Sequence, residues 1–299
     1  MADKVQILGL SFSDKGVQAA EIEQEGPSNT LLAIDEWENT LPEKAGRNGH
    51  GVDQFLEYLN AFMKVNRVRA RRASVALDTS QVFINTIPME EGISRAEMNE
   101  YVGWELSQYF PETPSKAFIS DVHLLTQHKA DGWNNAMTVS VQRRDAYGIQ
   151  QALAKTGLSI HLVDVDHFSA DTALRVNYPD TNQKFLALVG IKENRLDISL
   201  IKNGNMESYN YVLVQSNAQI VDEISRLSRE TRGIFSITVY GPFLDNDLLG
   251  QIRRSSSLLV EALNPLRHVR VSDSLRLADQ ISAPSYRFAS AVGVALRRD

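Results

Sequence analysis

The chain has 299 residues, 43% hydrophobic and 23% charged, with 31 Lys plus Arg against 37 Asp plus Glu and a net charge of −6. That length permits two domains with proper cores, and the balance excludes a disordered tail, a coiled coil and a generally basic nucleic-acid binder. Cysteine is absent, which removes disulfides, cysteine-ligated zinc, iron–sulfur clusters and thiol nucleophiles, and suits a reducing compartment.

The opening Met-Ala-Asp-Lys leads into Val5–Leu10, too short an apolar run for a signal sequence, and no stretch nears the roughly 18 apolar residues of a membrane span. A cytoplasmic location is expected. Val5–Leu10, Gly16–Glu23 and Thr30–Trp37 read as a three-strand meander, separated by Ser-Asp-Lys-Gly and Glu-Gly-Pro-Ser-Asn turns. Loop composition follows over Leu41–Gly51. Val52–Asn66 then places Phe55, Leu56, Leu59, Phe62 and Met63 at helical spacing and feeds a strand at Arg72–Leu77.

Between Gln81 and Arg144 the order becomes strand (Val82–Ile87), helix (Ser94–Phe110), strand (Ala117–Leu125) and strand (Ala136–Gln142). Ser94-Arg-Ala-Glu97 is a capping box, and Pro111 and Pro114 stop the helix. This predicts a compact insert with its own small core. A helix (Arg144–Lys155), a strand (Ser159–Val165) and a helix (His167 to about Val176) follow, before a break at Asn177-Tyr-Pro-Asp180. The second half opens with strands at Phe185–Ile191, Leu196–Lys202 and Met206–Leu213. The last two are joined by Asn203-Gly204, a type I′ hairpin signal. Helices at Asn217–Glu230, Asp245–Ser255 and Ser285–Leu296, with strands at Ile234–Tyr240 and near Val269–Val271, complete a weak internal duplication.

Chemistry-bearing patterns are few. Asp164 and Asp166 alternate on a strand as paired carboxylates would, but a helix cap and a lobe interface account for them more simply. His123 and His128 do not have a metal spacing, and His50, His161, His167 and His268 have no evident metal co-ligand in the sequence. Arg67-Val-Arg-Ala-Arg-Arg72 is a dense basic stretch that reads as a solvated loop end. Gly46-Arg-Asn-Gly-His-Gly51 lacks the Gly-Lys-Ser/Thr ending of a phosphate loop. No catalytic residue and no metal ligand set emerges.

Four segments in the right order resemble the PilM family of type IV pilus assembly proteins and, more distantly, the FtsA family. They are Ile7–Glu21, Phe83-Ile-Asn-Thr-Ile-Pro-Met89 with Glu97–Phe110 and Pro111, Gly157–Phe168, and Tyr286–Arg297. The resemblance implies an α/β, actin-like (ribonuclease H-like) fold of two lobes. Residues 1–80 and 145–180 would form the first lobe, 81–144 an inserted strand-helix-strand-strand subdomain, and 181–299 the second lobe. Val214 reaches Asn217 almost at once, so most of the nucleotide cap of that lobe is expected to be missing.

Actin-like folds hold ATP and magnesium between the lobes on Asp-x-Gly turns, glycine for close approach and the acid for the metal. This chain departs from that pattern. The first turn reads Ser11-Phe12-Ser13, with Gln18 where a lysine is usual; the second reads Gly190-Ile191-Lys192; the adenine-side turn reads Tyr240-Gly241-Pro242-Phe243. No tight ATP binding is expected, and Lys192 is expected to be solvated. What the resemblance implies instead is a scaffold that takes the N-terminal peptide of PilN, an inner-membrane partner, with hydrolysis left to separate motor ATPases. The resemblance places the partner groove between the first lobe and the insert, carried over here to Gln81–Phe110, with Phe83, Met98, Tyr101, Trp104 and Tyr109 as its expected residues. The protein would be peripheral at the inner membrane through that partner, with no nucleic-acid role; its oligomeric state, a homodimer included, is open. The alternatives are an ATP-binding actin-like protein with an unconventional site and a type II secretion platform component. An FtsA-like filament former would need a C-terminal membrane helix, for which the ending Leu296-Arg-Arg-Asp299 leaves no room.

Overall fold

The computed structural model describes residues 4–38, 50–125, 133–277 and 284–298. The glycine-rich run before 50 and His128 lie outside them. In the first half, strands β1 (Lys4–Ser13), β2 (Gly16–Glu25) and β3 (Ser28–Trp37) form the expected antiparallel meander. Helix α1 (His50–Val65) crosses over to β4 (Arg72–Leu77), which lies parallel to β1. The insert follows as β5 (Phe83–Glu90), α2 (Arg95–Tyr109), β6 (Phe118–Leu124) and β7 (Trp133–Gln142). Helix α3 (Arg143–Ala154), strand β8 (Ser159–Val165) and helix α4 (Asp166–Asn177) return to the first sheet and leave it.

The second half contains β9 (Phe185–Ile191), β10 (Arg195–Lys202), β11 (Asn205–Leu213), α5 (Asn217–Glu230), β12 (Ser236–Tyr240), α6 (Asn246–Ser255), β13 (Leu259–Ala262), β14 (Arg270–Val271), α7 (Asp273–Leu277) and α8 (Ala289–Leu296). Only residues 214–216 join β11 to α5, so a cap subdomain has no room there. The two large sheets run β14-β3-β2-β1-β4-β8 and β11-β10-β9-β12-β13, and the insert forms β5-β7-β6. From the outer meander strand inward, both large sheets repeat one pattern, an antiparallel meander followed by parallel strands; this is the duplication behind a two-lobed actin-like fold.

Alternation along β1 sorts its side chains between two cores. Leu8, Leu10 and Phe12 join Phe55, Leu59 and Phe62 of α1 and Ile149 and Leu153 of α3 on one face. Ile7 joins Ala20, Ile22, Phe288, Ala291 and Ala295 on the other. The second sheet packs with Ala170, Ala173 and Leu174 of α4 and with Ile220, Ile224, Leu248 and Ile252 of α5 and α6. Between β10 and β11, Asn203 and Gly204 take positive φ of 52° and 73°, the hairpin turn the dipeptide predicts.

The span 181–299 does not stay with the second sheet. Strand β14 pairs with β3, and α8 packs on β1, β2 and β4. The reason is in the helix itself: Ala-Ser-Ala-Val-Gly-Val-Ala-Leu is buried at all eight positions and so has to be covered on every side. It lies between β1 and α4. A Cβ on Gly9 would fall 2.0 Å from the Ala291 carbonyl oxygen, and one on Gly293 would fall 1.8 Å from that of Ser169. Helix α8 therefore ties the first sheet to the helix that leads into the second.

Other differences from the sequence reading are local. Strand β5 runs past Ile87 to Glu90 because Pro88 sits on an outer strand, where a missing N–H is tolerated. The expected helix from Ser285 opens as a 3-10 turn over Ser285–Phe288 before α8 begins. Strand β13 has four residues and α7 has five, too few to show a period.

Candidate functional site

The turns that the resemblance singles out do converge. Ser11, Ser13 and Gln18 of the first sheet face Gly190, Lys192 and Gly241 of the second across one cleft, together with Asp166 and Tyr240, and the space left among them is about 10 Å³. That is about the room of one water at most. A nucleotide triphosphate with its metal does not fit these residues as they stand. Tyr240 fills part of the cleft: its hydroxyl would lie 2.7 Å from a Cβ on Gly190. At the mouth, Lys15 Nζ donates to the Pro242 carbonyl at 3.3 Å and sits 5.4 Å above the Phe243 ring.

Lys192 is not solvated, contrary to the sequence expectation. It is 6% exposed, because the carboxylates around it offset the cost of burying its charge. Its Nζ lies 2.7 Å from Asp166 Oδ2, 3.1 Å from Asp197 Oδ2 and 3.2 Å from Asp78 Oδ1, and it donates to Thr79 Oγ1. Thr79 Oγ1 in turn donates to Asp197 Oδ2 at 2.6 Å. Arg195 Nε and Tyr209 Oη donate to Asp197 Oδ1 at 2.8 and 2.7 Å. Asp78 also caps the 3-10 turn Thr79–Gln81 by accepting from the Ser80 N–H at 2.7 Å.

Asp166 opens α4 and accepts from the N–H groups of His167 at 2.8 Å and Thr79 at 3.2 Å. It is thus a buried member of this cluster and does not act as a pair with Asp164. Asp164 accepts from Ser169 Oγ and ion-pairs with Arg297 elsewhere. The His167 ring, fully buried, bonds Tyr240 Oη through Nδ1 and Ser199 Oγ through Nε2, both at 2.8 Å.

These surroundings move the titrations apart. Burial pushes the Asp166 carboxyl up to about 7, aided by Asp78 and Asp197 and opposed by Lys192. Burial would raise Asp197 too, but Lys192, His167, Arg195 and the Thr79 hydroxyl hold it well below the usual carboxylate range. For Lys192, burial opposes the charge and the three carboxylates outweigh it, so its pKa is raised. Burial lowers His167 to about 4, leaving it neutral near pH 7.

The insert offers a second candidate region. Its sheet has two faces. Ile87, Met89, Phe118 and Ala136 pack under α2 with Val102 and Leu106, and Phe83, Met98 and Tyr101 border that small core. Phe83 and Tyr109 rings are 4.8 Å apart, and Tyr101 stacks on Trp104 at 5.8 Å and 7°. The five residues expected to form the partner groove therefore sit on the helix side. The opposite face of β6 and β7 looks toward the first lobe across two adjoining cavities of about 240 and 320 Å³. Ile119, Val139, Val141, Val163 and Phe168 supply the apolar lining, and His123, Asp164 and Arg297 are common to both cavities. The signal for this face was present in Met137, Val139 and Val141: three apolar residues at alternate positions, opposite the face that a single insert helix can cover.

Two lobes of duplicated topology, joined through α4 and α8 and interrupted by a small α/β insert, define an actin-like protein. The family model "Type IV pilus assembly protein PilM" matches residues 9–226. The chain belongs to the PilM family. A solved PilM–PilN type IV pilus biogenesis complex superposes with a TM-score of 0.80 at 17% identity, covering 98% of each chain. A Bacteroides thetaiotaomicron protein of actin-like ATPase fold matches at TM-score 0.53 and 8% identity, covering 93% of this chain and 96% of that one. The cytoplasmic domain of EpsL, an inner-membrane component of the Vibrio cholerae type II secretion system, matches at 0.50 and 10%, covering 80% and 84%. At these identities the structural likeness speaks for the fold. Among the described residues no helix is long and apolar enough to cross a membrane.

Proposed function

We propose that this chain is a non-catalytic scaffold of type IV pilus assembly, held at the cytoplasmic side of the inner membrane by the N-terminal peptide of a PilN-like partner lying between the insert and the first lobe. The observation that carries the reading is the apolar groove beside two free sheet edges. Strand β8 ends the first sheet and β6 ends the insert sheet, so among the described residues no strand pairs the outer side of either. An extended peptide can add to such an edge while its side chains enter the adjoining pockets. Val163 on β8 and Ile119 on β6 are both about 40% exposed and would be its apolar anchors. Arg297, paired with Asp164 at the groove floor, offers polar contacts to the peptide. The scaffold role is supported by the loss of acid and glycine at the phosphate turns.

Calorimetric titration with the N-terminal peptide of the PilN-like protein tests this. Ile119→Glu and Val163→Glu are expected to weaken binding at least tenfold, since each places a charge on an apolar anchor. Trp104→Ala, on the helix side, is expected to leave affinity unchanged. A loss with Trp104→Ala and none with the groove variants would move the site to α2 and refute the groove.

A further inference from the structure

The misfit at the nucleotide cleft has a definite form. Three chain segments meet at the ammonium group of Lys192, which follows β9: 78–79 after β4 and 166 at the start of α4 come from the first lobe side, and 197 comes from β10 of the second sheet. Carboxylates and hydroxyls are the groups that hold a divalent cation in an oxygen site. Here the charge is supplied by the chain.

We infer that Lys192 is a built-in cation that takes the place of the metal and phosphates between the lobes and clasps them shut without a nucleotide. Three features of the site point to this. The ammonium meets three carboxylates and a hydroxyl, more partners than its three protons. The acceptors come from both lobes, so the contacts span the cleft and do not merely anchor a loop. The cleft around them is closed to about 10 Å³, with Tyr240 inside and Lys15 across the mouth. Where two lobes close around a ligand, closure depends on that ligand. In this chain it is a property of the apoprotein. The inference stands apart from the docking reading, since it is tested with no peptide present.

The native chain has no cysteine, so spin labels can be placed at Glu57→Cys on α1 and Asp222→Cys on α5, both exposed and one in each lobe. Pulsed electron-electron double resonance on the full chain should give one narrow distance distribution that neither Mg·ATP nor calcium changes. Lys192→Ala should broaden or lengthen it and lower the melting temperature by roughly 10 °C, the scale for leaving buried carboxylates unpaired. Millimolar calcium, for whose oxygen distances of about 2.3–2.6 Å the carboxylate shell now 2.7–3.2 Å from Nζ has to contract by several tenths of an ångström, should restore both in the variant. If Lys192→Ala does not fold, Lys192→Met with Asp166→Asn removes one charge of each sign and is read in the same way. An unchanged distance and melting temperature in either folded variant would overturn the clasp. Failure of calcium to restore Lys192→Ala would refute the ammonium as a metal surrogate. A shift of the native chain with Mg·ATP would show that Lys192 yields to nucleotide and would overturn closure of the apoprotein.

Discussion

Two neighbouring residues in the buried cluster should oppose each other as pH falls, and the size of each effect follows from where it titrates. His167 titrates near 4 when folded against an ordinary 6.5, so between these values the unfolded chain binds more protons and stability falls with falling pH. From pH 7 to pH 5 that loss is about 2 kcal/mol. Asp166 titrates near 7 when folded against 3.8, so the folded state binds more protons across that range and stability rises as pH falls. From pH 7 to pH 5 that gain is also about 2 kcal/mol. In the native protein the two act in opposite directions. Removing one should expose the other: relative to the native chain, His167→Gln should gain about 2 kcal/mol between pH 7 and pH 5, and Asp166→Asn should lose about as much. Urea unfolding followed by circular dichroism at pH 7, 6 and 5 measures the differences, and whatever fixed cost each substitution carries drops out of the slope. Variants whose profiles run parallel to the native one, within about 0.5 kcal/mol, would refute the reasoning.

Two further substitutions test the frame. Gly293→Ala puts a methyl 1.8 Å from the Ser169 carbonyl oxygen, where ordinary contact begins near 3.4 Å, and both sides of the clash are backbone. It should destabilise by about 3 kcal/mol or more in the same assay, and a cost under about 0.5 kcal/mol would mean that α4 and α8 are not so closely apposed. Ser94→Ala removes the capping-box hydroxyl that accepts from the Glu97 N–H at 3.3 Å. It should cost about 1 kcal/mol, appear as faster amide exchange over residues 95–98, and leave peptide affinity unchanged.

What could be read from sequence was what neighbouring residues decide. Asn203-Gly204 requires two positive φ values and the capping box needs residues three apart; both are properties of a few consecutive side chains. Period-2 and period-3.6 patterns gave most strands and helices for the same reason. The sequence points Lys192 to solvent because nothing near it in the chain declares burial: Asp78 and Thr79 lie 113 or more residues away, and Asp197 five residues on looks like a surface acid. One hint was available. Asp197 and Ser199 alternate with Leu196 and Ile198 in a strand flanked on both sides, where an acid requires a buried partner. Helix α8 was misplaced because an all-apolar helix says that it is covered and not by what. The aromatic residues of α2 draw attention in the sequence because they are large; in the structure Tyr101 stacks on Trp104 and Phe83 packs against Tyr109, while Trp104 and Tyr109 stay exposed.

The cleft and the groove share one helix. Asp166 and His167 begin α4 inside the charged cluster, and Phe168, the next residue, lines the groove. The Phe168 ring meets Tyr209 edge-on at 5.4 Å, and Tyr209 donates to Asp197, which also holds Lys192. A continuous set of contacts thus runs from the groove wall to the clasp. Buried ion clusters are seldom the most stable filling for a core; apolar residues of like volume often do as well or better, while a charge network accepts only one arrangement of its members. On that reasoning Lys192 contributes less to net stability than to the fixed orientation of the start of α4, and with it the position of Phe168. A groove whose wall is already fixed loses less conformational entropy when a short peptide enters it. If the groove takes the proposed peptide, Lys192 in the cleft and the apolar groove beside the insert are parts of one design, in which the charged cluster keeps the groove wall in shape.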